Sequence, residues 1–579
     1  MKIRHSAIAM ALAFACSNVV CAAPTVKLKI LALNDFHGQL ESPGSLRNLP
    51  TDPAATIPVG GIDYLAGYIS DIKTKNPNTV VVSAGDLIGA TPLISALFHD
   101  EGTIETMNRA GLEINAVGNH EFDEGKTELL RMQNGGCHPT DANTCQGAAV
   151  GTPVPFEGAS FSYLAANVVD KNTKQTLFPS YVIKEYEGVK VAFIGMTLKE
   201  TPTIVTPSGV AGLTFLDETK AANRLVPQLL AQGVKAIVVL IHQGGIIPVS
   251  ASMTTLNTCD GNLDNSPIKT IVNGLSDHID LVISGHTHQT YNCKLTTKNG
   301  VHTIPVTSAN SQGRAITDID MVLNSKNGRV LKVSATNVAI DRSNATITPD
   351  ASIQAIVNGY KALSTTVANR VIGSISADLT RTLSVAGENV MGDIIADAQL
   401  AATKDPKFGA AQVAFMNPGG VRADLTYASS LAGEGDANVT FGEAFTVQPF
   451  GNSLVTLSLT GAQIEEMLEQ QFVGCPNAQS FNRILLPSAG FTYAWKATGP
   501  DCDKVDPASI AINGTVLEPT AEYRVTVNSF LADGGDKFFA IAKGTKRLGG
   551  AQDSDALEAY FTANPNLAPV ALDRIQMLP

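Results

Sequence analysis

The chain has 579 residues, too many for one ordinary core, so two domains are expected. Charged residues make up 16% and hydrophobic residues 44%, which excludes a disordered chain. A formal net charge of −12 argues against nucleic acid as a partner, because binding a polyanion needs clustered Lys and Arg. A small anion stays compatible if one cleft is locally positive.

Residues 1–22 read as a secretory leader. Lys2 and Arg4 open it, Ile8 to Cys16 is an apolar run too short to cross a bilayer, and Val20-Cys21-Ala22 offers small residues for cleavage after Ala22. No later apolar run is long enough for a membrane helix, and neither Cys16 nor Cys21 follows a lipidation triplet, so no membrane anchor is expected. Periplasmic residence is the expectation, with free secretion as the alternative. Six of the eight cysteines lie beyond the leader, in three local pairs: Cys137 with Cys145, Cys259 with Cys293, and Cys475 with Cys502. Proximity alone suggests this pairing. An even number after an export signal favours disulfides over free thiols.

From Val26 to about Ile340, β-branched runs end in polar, glycine-containing turns. Val26–Leu33, Thr79–Ser83, Ile114–Val117, Val189–Ile194, Ala236–Ile241 and Leu281–Ser284 are predicted buried strands. Helical stretches such as Ile62–Lys75 and Ala221–Gln232 lie between them, which predicts layered α/β structure. Residues 341–374 are more polar and hold one predicted helix, Ala351–Ala368, taken as the linker and as the place for a hinge. Residues 375–579 mix strands with helices at Met391–Ala402 and Ala462–Phe472.

His37, His120, His242, His286 and His288 each follow a predicted strand, in a turn with Gly, Asn or Asp. In open α/β sheets, ligands bind beyond the carboxyl ends of the strands. The turns are Asn34-Asp35-Phe36-His37-Gly38, Gly85-Asp86, Gly118-Asn119-His120-Glu121-Phe122-Asp123, His242-Gln243-Gly244-Gly245 and Gly285-His286-Thr287-His288. Asp35 and His37, like His286 and His288, are two apart; in an extended segment each pair shares a side and can share an ion. Imidazole and carboxylate without thiolate suit Zn, Mn, Fe or Ni. His99, His138, His278 and His302 lie outside these turns and read as surface or packed residues, and Glu121 reads as structural.

These five turns in this order resemble the signature of the calcineurin-like metallophosphoesterases. Their longer forms, Asn-Asp-Phe-His-Gly and Gly-Asn-His-Glu-Phe-Asp, look like the secreted 5′-nucleotidase branch, and the resemblance extends over nearly all of the chain after the leader. It implies a four-layer α/β/β/α catalytic domain, residues 24–340, followed by a smaller α/β nucleotide-recognition domain, residues 375–579. It further implies two divalent metal ions. One would be held by Asp35, His37, Asp86 and His288. The other would be held by Asp86, Asn119, His242 and His286, with Asp86 bridging. His120 and Asp123 resemble the family's catalytic dyad.

In the second half, Asn417-Pro418-Gly419-Gly420-Val421-Arg422 resembles the motif whose Asn and Arg bind substrate; Arg offers a bidentate fork to phosphate. Arg381, before Gly387-Glu388-Asn389 and Gly392-Asp393, resembles a further phosphate-binding arginine, although its spacing to Asn389 departs from some relatives. Pro449-Phe450-Gly451-Asn452 and Ser529-Phe530-Leu531-Ala532-Asp533-Gly534-Gly535-Asp536 look like base-binding motifs. Phe450 and Phe530 would stack on a base and Asp536 would accept from the ribose hydroxyls. Phe538 and Phe539 read as core.

The resemblance implies a monomeric enzyme that releases phosphate from nucleoside 5′-monophosphates, with nucleoside di- or triphosphates or nucleotide sugars as further small-molecule substrates. The alternative in the same class is a 2′,3′-cyclic-nucleotide phosphodiesterase with 3′-nucleotidase activity; Asp123, where that branch usually carries Asn, favours the 5′ reading. The alternative of another class is an extracytoplasmic nucleotide-binding protein without catalysis, against which the unbroken ligand set argues.

Overall fold

The computed structural model describes residues 24–47, 56–205, 209–247, 256–430, 433–477 and 479–579. The leader expected at 1–22 lies outside the described residues. Two six-stranded sheets form the first domain. One runs in the order Val330–Ala339, Ala315–Asn324, Thr25–Leu33, Thr79–Ser83, Ile114–Ala116, Ser162–Leu164. Its last four strands are parallel, and Ala315–Asn324 pairs antiparallel with Thr25–Leu33. The other runs Thr290–Thr296, Thr303–Ala309, Leu281–Ser284, Ala236–His242, Val189–Thr197, Tyr181–Tyr186, with its four central strands parallel.

Both faces of each sheet are apolar because successive side chains point to opposite faces and both faces are covered. Leu28, Ile30, Val80 and Val82 meet Phe193, Val238, Leu240 and Ile283 between the sheets. The intervening Leu31, Leu33 and Val81 face outward to the core that holds helices Ile62–Lys75 and Glu101–Ala110. Ile237, Val239 and Ile241 face the helices Glu218–Ala231 and Pro267–Gly274. Full burial of one such side chain is worth about 1.5–3 kcal/mol, and these strands carry one at nearly every position. The result is the expected four-layer α/β/β/α stack.

Several boundaries move for local reasons. The helix expected from Ala221 starts at Glu218, because the Asp217 side chain accepts from Lys220 N and caps it. Helix Ala351–Ala368 is as predicted, capped by Asp350, which accepts from Ser352 N and Ile353 N. Its buried face, with Ile353, Ile356, Val357 and Tyr360, belongs to the core of the first domain. The Tyr360 hydroxyl donates to Glu105 Oε2 at 2.9 Å.

The second domain holds a five-stranded sheet, Leu486–Pro487, Val413–Met416, Glu522–Asn528, Ser453–Thr460, Thr545–Gln552, and a four-stranded one. Helices Val390–Thr403 and Gly461–Glu469 pack on it; the second is shorter than expected because the chain turns at Gln470. Phe538 is buried, but Phe539 is 44% exposed, since a four-residue helix begins there and turns its ring outward. Disulfides join Cys137 to Cys145, Cys259 to Cys293 and Cys475 to Cys502. Among the described residues, no helix is long and apolar enough to cross a membrane.

Burial lifts the Glu105 carboxyl to about 7 from an ordinary 4.5. A carboxyl whose pKa rises on folding favours the native state while protonated, so its contribution is lost as pH climbs from about 4.5 to about 7. Replacing Glu105 with Gln should flatten the pH dependence of unfolding midpoints across that window, removing up to about 3 kcal/mol of slope, as read by urea titration.

Candidate active site

Five loops at the carboxyl ends of parallel strands converge: three from the first sheet, after Thr25–Leu33, Thr79–Ser83 and Ile114–Ala116, and two from the second, after Ala236–His242 and Leu281–Ser284. His242 is the last strand residue, not the first beyond it. Candidate ligand atoms gather in two groups. Asp35, His37 and His288 form one, Asp86, His242 and His286 the other, and within each the atoms lie within 4.8 Å of one another. Asp86 Oδ2 stands between them, 2.8 Å from His242 Nε2 and 3.8 Å from His37 Nε2. Asn119 Oδ1 is 3.0 Å from His286 Nδ1.

The extended geometry expected at Asp35 and His37 is not what aims them. Asp35, His37, Asp86, His286 and His288 all have positive φ, between 49° and 74°. Left-handed backbone costs a non-glycine residue about 1–2 kcal/mol, and five such residues persist only where the surroundings dictate the conformation. Those surroundings are visible. Glu121, buried, accepts from Asp86 N (3.0 Å), Leu87 N (2.9 Å), Gly118 N (2.6 Å) and Asn115 Nδ2 (3.2 Å). It is structural, as expected. His286 N donates to Asp35 Oδ1 at 2.9 Å. A Cβ at Gly118 would lie 2.2 Å from Asp86 Oδ1, so only glycine lets this loop pass the carboxylate.

The donor set fits divalent cations. His37 Nδ1 faces Gly89 O at 2.8 Å and His242 Nδ1 faces Ala84 O at 2.8 Å, contacts that place the proton on Nδ1 and leave Nε2 as a lone pair directed inward. His37 Nε2 then meets His288 Nε2 at 3.1 Å, and the buried His242 Nε2 faces Asp86 Oδ2 at 2.8 Å without the alignment of a regular hydrogen bond. Lone pairs facing lone pairs and carboxylates are stabilised by a cation between them. Burial pushes His286 and His288 down to about 3, so both are neutral, the ligating form. Burial also acts downward on His242, but Asp86 outweighs it and lifts this histidine to about 9, which marks a spot that favours positive charge.

His120 stands apart from both groups. Its Nδ1 is 2.8 Å from Asp123 Oδ2, and its backbone N donates to Asp86 Oδ1 at 2.9 Å. Burial opposes its protonation; the charges of Asp123 and Asp86 prevail and its pKa is raised.

The second domain closes over this rim. A single cavity is lined from the first domain by residues including Asn119, His120 and Asp123, and from the second by Asn417, Arg422, Phe450, Phe530 and Asp536. The Phe450 ring lies 6.0 Å from the His120 ring at 22°, and the Arg422 guanidinium stands 5.5 Å from the centre of the same Phe450 ring. Asn417 Nδ2 donates to Asp536 Oδ2 at 3.0 Å. Gly535 packs against Phe530, where a Cβ would lie 2.6 Å from the ring. Two of the residues expected to bind substrate do not line the cavity. Arg381 is exposed and donates to Asp424 Oδ1 from its N (2.8 Å) and Nε (3.1 Å). Asn389 caps helix Val390–Thr403, its Oδ1 accepting from Gly392 N at 2.8 Å. Arg483, Asn452 and Asn528 line the cavity and were missed. Asn452 closes the Pro449-Phe450-Gly451-Asn452 motif. Arg483 is a lone cation in a loop, which no local pattern marks.

Residues 28–290 match the family of calcineurin-like phosphoesterases, and residues 371–543 match the 5′-nucleotidase C-terminal domain. The chain is 32% identical over 541 residues to an endonuclease, YhcR, of Bacillus subtilis, covering 92% of this chain and 39% of that protein. It is 33% identical over 550 residues to the cell wall protein Lmo0130 of Listeria monocytogenes, covering 92% and 66%. It thus spans well under half of the first relative and just under two thirds of the second. The crystal structure of a 5′-nucleotidase precursor from Thermus thermophilus superposes with a TM-score of 0.73 at 24% identity, covering 96% of this chain and 99% of that one.

Gly118→Ala should displace the Asp86 carboxylate while sparing the cores. The expected result is metal affinity weakened by roughly 10–100-fold, read by competition with a chromophoric chelator, with an unchanged circular dichroism spectrum.

Proposed function

We propose that this chain, which belongs to the family of calcineurin-like phosphoesterases with a 5′-nucleotidase C-terminal domain and is a metal-dependent phosphoester hydrolase, acts on nucleoside 5′-phosphates and releases the nucleoside and phosphate. The observation that carries the substrate class is the shared cavity: the dyad and the ligand candidates Asn119 and His286 of one domain line it together with Phe450, Phe530, Asp536 and Arg422 of the other. Asp35, His37, Asp86 and His288 would hold one ion, and Asp86, Asn119, His242 and His286 the second. When bound, the pair supplies Lewis acidity at the phosphoryl oxygens and a nucleophile from water near neutral pH.

The chain's own residues do the rest. Arg422 binds the phosphoryl oxygens, its charge already felt at His288 and His120. His120, oriented by Asp123 through Nδ1, presents Nε2 to the phosphate; as the raised-pKa member it stabilises developing charge or hands a proton to the departing 5′ oxygen. Phe450 and Phe530 provide stacking faces for the base, and Asp536, held by Asn417, accepts from the ribose hydroxyls. Arg381, exposed and paired with Asp424, takes no part in this reading. Export is supported by the three disulfides, which persist in oxidising compartments.

Phosphate release from AMP, ADP and 2′,3′-cyclic AMP, measured with Mn²⁺ or Zn²⁺, tests the reading. Fast release from AMP, lost in Asp86→Ala and lowered roughly 10²–10⁴-fold in kcat by His120→Asn, is expected. Activity confined to the cyclic substrate would move the protein to the cyclic-nucleotide branch, and nucleotide binding without release would make it a binding protein. Separately, Phe450→Ala should raise KM for AMP by roughly 5- to 150-fold through lost stacking while leaving KM for a phosphate ester without a base nearly unchanged.

A further inference from the structure

A different cluster lies on the flank of the first domain. His99 follows the short helix Leu93–Ala96, Glu124 and Glu128 bracket the start of helix Lys126–Asn134, and His138 and Asp141 sit in the loop closed by Cys137–Cys145. Three chain segments meet here. Ligand atoms of His99, Glu128 and His138 lie within 4.8 Å of one another. His99 Nε2 is 2.9 Å from Asp141 Oδ2, its Nδ1 contacts Glu124 and lies 3.8 Å from Glu128 Oε1, and the two imidazole rings face each other at 4.6 Å.

Three features separate this from a surface salt bridge. First, negative charge is in excess. Glu124, Glu128 and Asp141 gather beside Glu101, while Arg131 is shared between Glu128 (2.6 Å) and Glu101 (2.5 Å). Burial together with the charge of Glu124 holds the nearby Asp100 carboxyl up at about 6. Second, the parts are fixed. His99 and Asp100 have left-handed backbone, φ 51° and 60°, and the disulfide confines the segment that carries His138 and Asp141. Third, the contacts repeat those of the cleft, where His242 Nε2 meets Asp86 Oδ2 at 2.8 Å. Two imidazoles with carboxylates and no thiolate are a donor set for zinc and its neighbours rather than for calcium or magnesium.

We propose that His99, Glu128 and His138, with Glu124 and Asp141 beside them, form a separate binding site for one divalent transition-metal ion of the zinc type. Binding takes the proton from one ring nitrogen of His99 to solvent and replaces its carboxylate contact there with a metal bond, while the other N–H keeps its carboxylate partner. It also exchanges the bond by which Asp141 N donates to His138 Nδ1 at 3.1 Å for a metal bond. The site adjoins the dyad: one cavity is lined by His99, Glu124 and Glu128 and also by His120, Asp123 and Phe450. The ion would therefore brace the wall behind Asp123 without touching substrate.

The test is zinc stoichiometry of the whole protein after equilibration with Zn²⁺ and gel filtration, read by mass spectrometry of the metal. His138→Gln and Glu128→Gln should each bind one ion fewer per chain than wild type, with phosphate release changed less than about twofold. In the Asp86→Ala background, where the cleft is crippled, the flank ion should remain and should disappear on adding His138→Gln. This arm reads the flank site whatever the fate of the cleft assignment. Equal zinc content with and without His138→Gln in both backgrounds, or no zinc retained by Asp86→Ala, would overturn the proposal and leave His99 as an imidazolium bridging two carboxylates. His99→Gln serves as a second removal if Glu128→Gln disturbs the Arg131 pairing.

Discussion

The Glu121 carboxylate receives donors from two neighbouring strands at once: the backbone after Thr79–Ser83 through Asp86 and Leu87, and strand Ile114–Ala116 with the turn that follows it through Asn115 and Gly118. Burial pushes it up to about 7, with the charge of Asp86 adding to the effect. Leaving any of those buried donors unmatched would cost about 1–3 kcal/mol each, so the two turns are locked in one relative position. Everything else at the rim depends on that. Asp86 is placed between the two ligand groups, His120 is hung from Asp86 by its backbone N, and Asp123 reaches His120 from the same short turn.

The left-handed backbone at five ligand positions is the counterpart of this rigidity. A chain free to relax would leave that region, and no ligand side chain could then be aimed by its neighbours alone. The sheets supply the restraint, since each loop issues from a strand buried on both faces. The second domain adds the organic half of the site from a different sheet, so recognition of a base and handling of a phosphate are solved by separate cores that meet along one cavity.

Much of this is legible in sequence because the relevant signals are local. Strands Thr79–Ser83 and Leu281–Ser284 and helices Ile62–Lys75 and Ala351–Ala368 fall where apolar periodicity puts them. The five turns announce themselves by Gly, Asn, Asp and His in tight succession, and the two ligand groups assemble from those residues. What escapes is non-local or conformational. Positive φ at Asp35 and His37 cannot be read from residue type, so the extended expectation fails there. Asn389 is claimed by its own helix, a capping role that any Asn before an apolar run can take. Arg483 reaches the cavity only because Asp536, far along the chain, lies 3.3 Å away. His99 and His138, unremarkable alone, gain meaning only when Cys137–Cys145 and the turn after Asp123 bring carboxylates to them.

The helix Ala351–Ala368 is part of the first core, and the strand Val371–Ser374 already pairs within the second domain. Between them stand only Asn369 and Arg370, and Arg370 is itself fastened to Glu558 and lies over Phe441. The tether between the halves of the cavity is thus about as short as a chain permits. A short tether keeps the partner surface at a high effective concentration, so bringing Phe450 and Arg422 to the metal loops carries little of the entropy loss of a bimolecular encounter. Substrate binding free energy that would otherwise go into recruiting the second domain remains available for selecting the nucleotide.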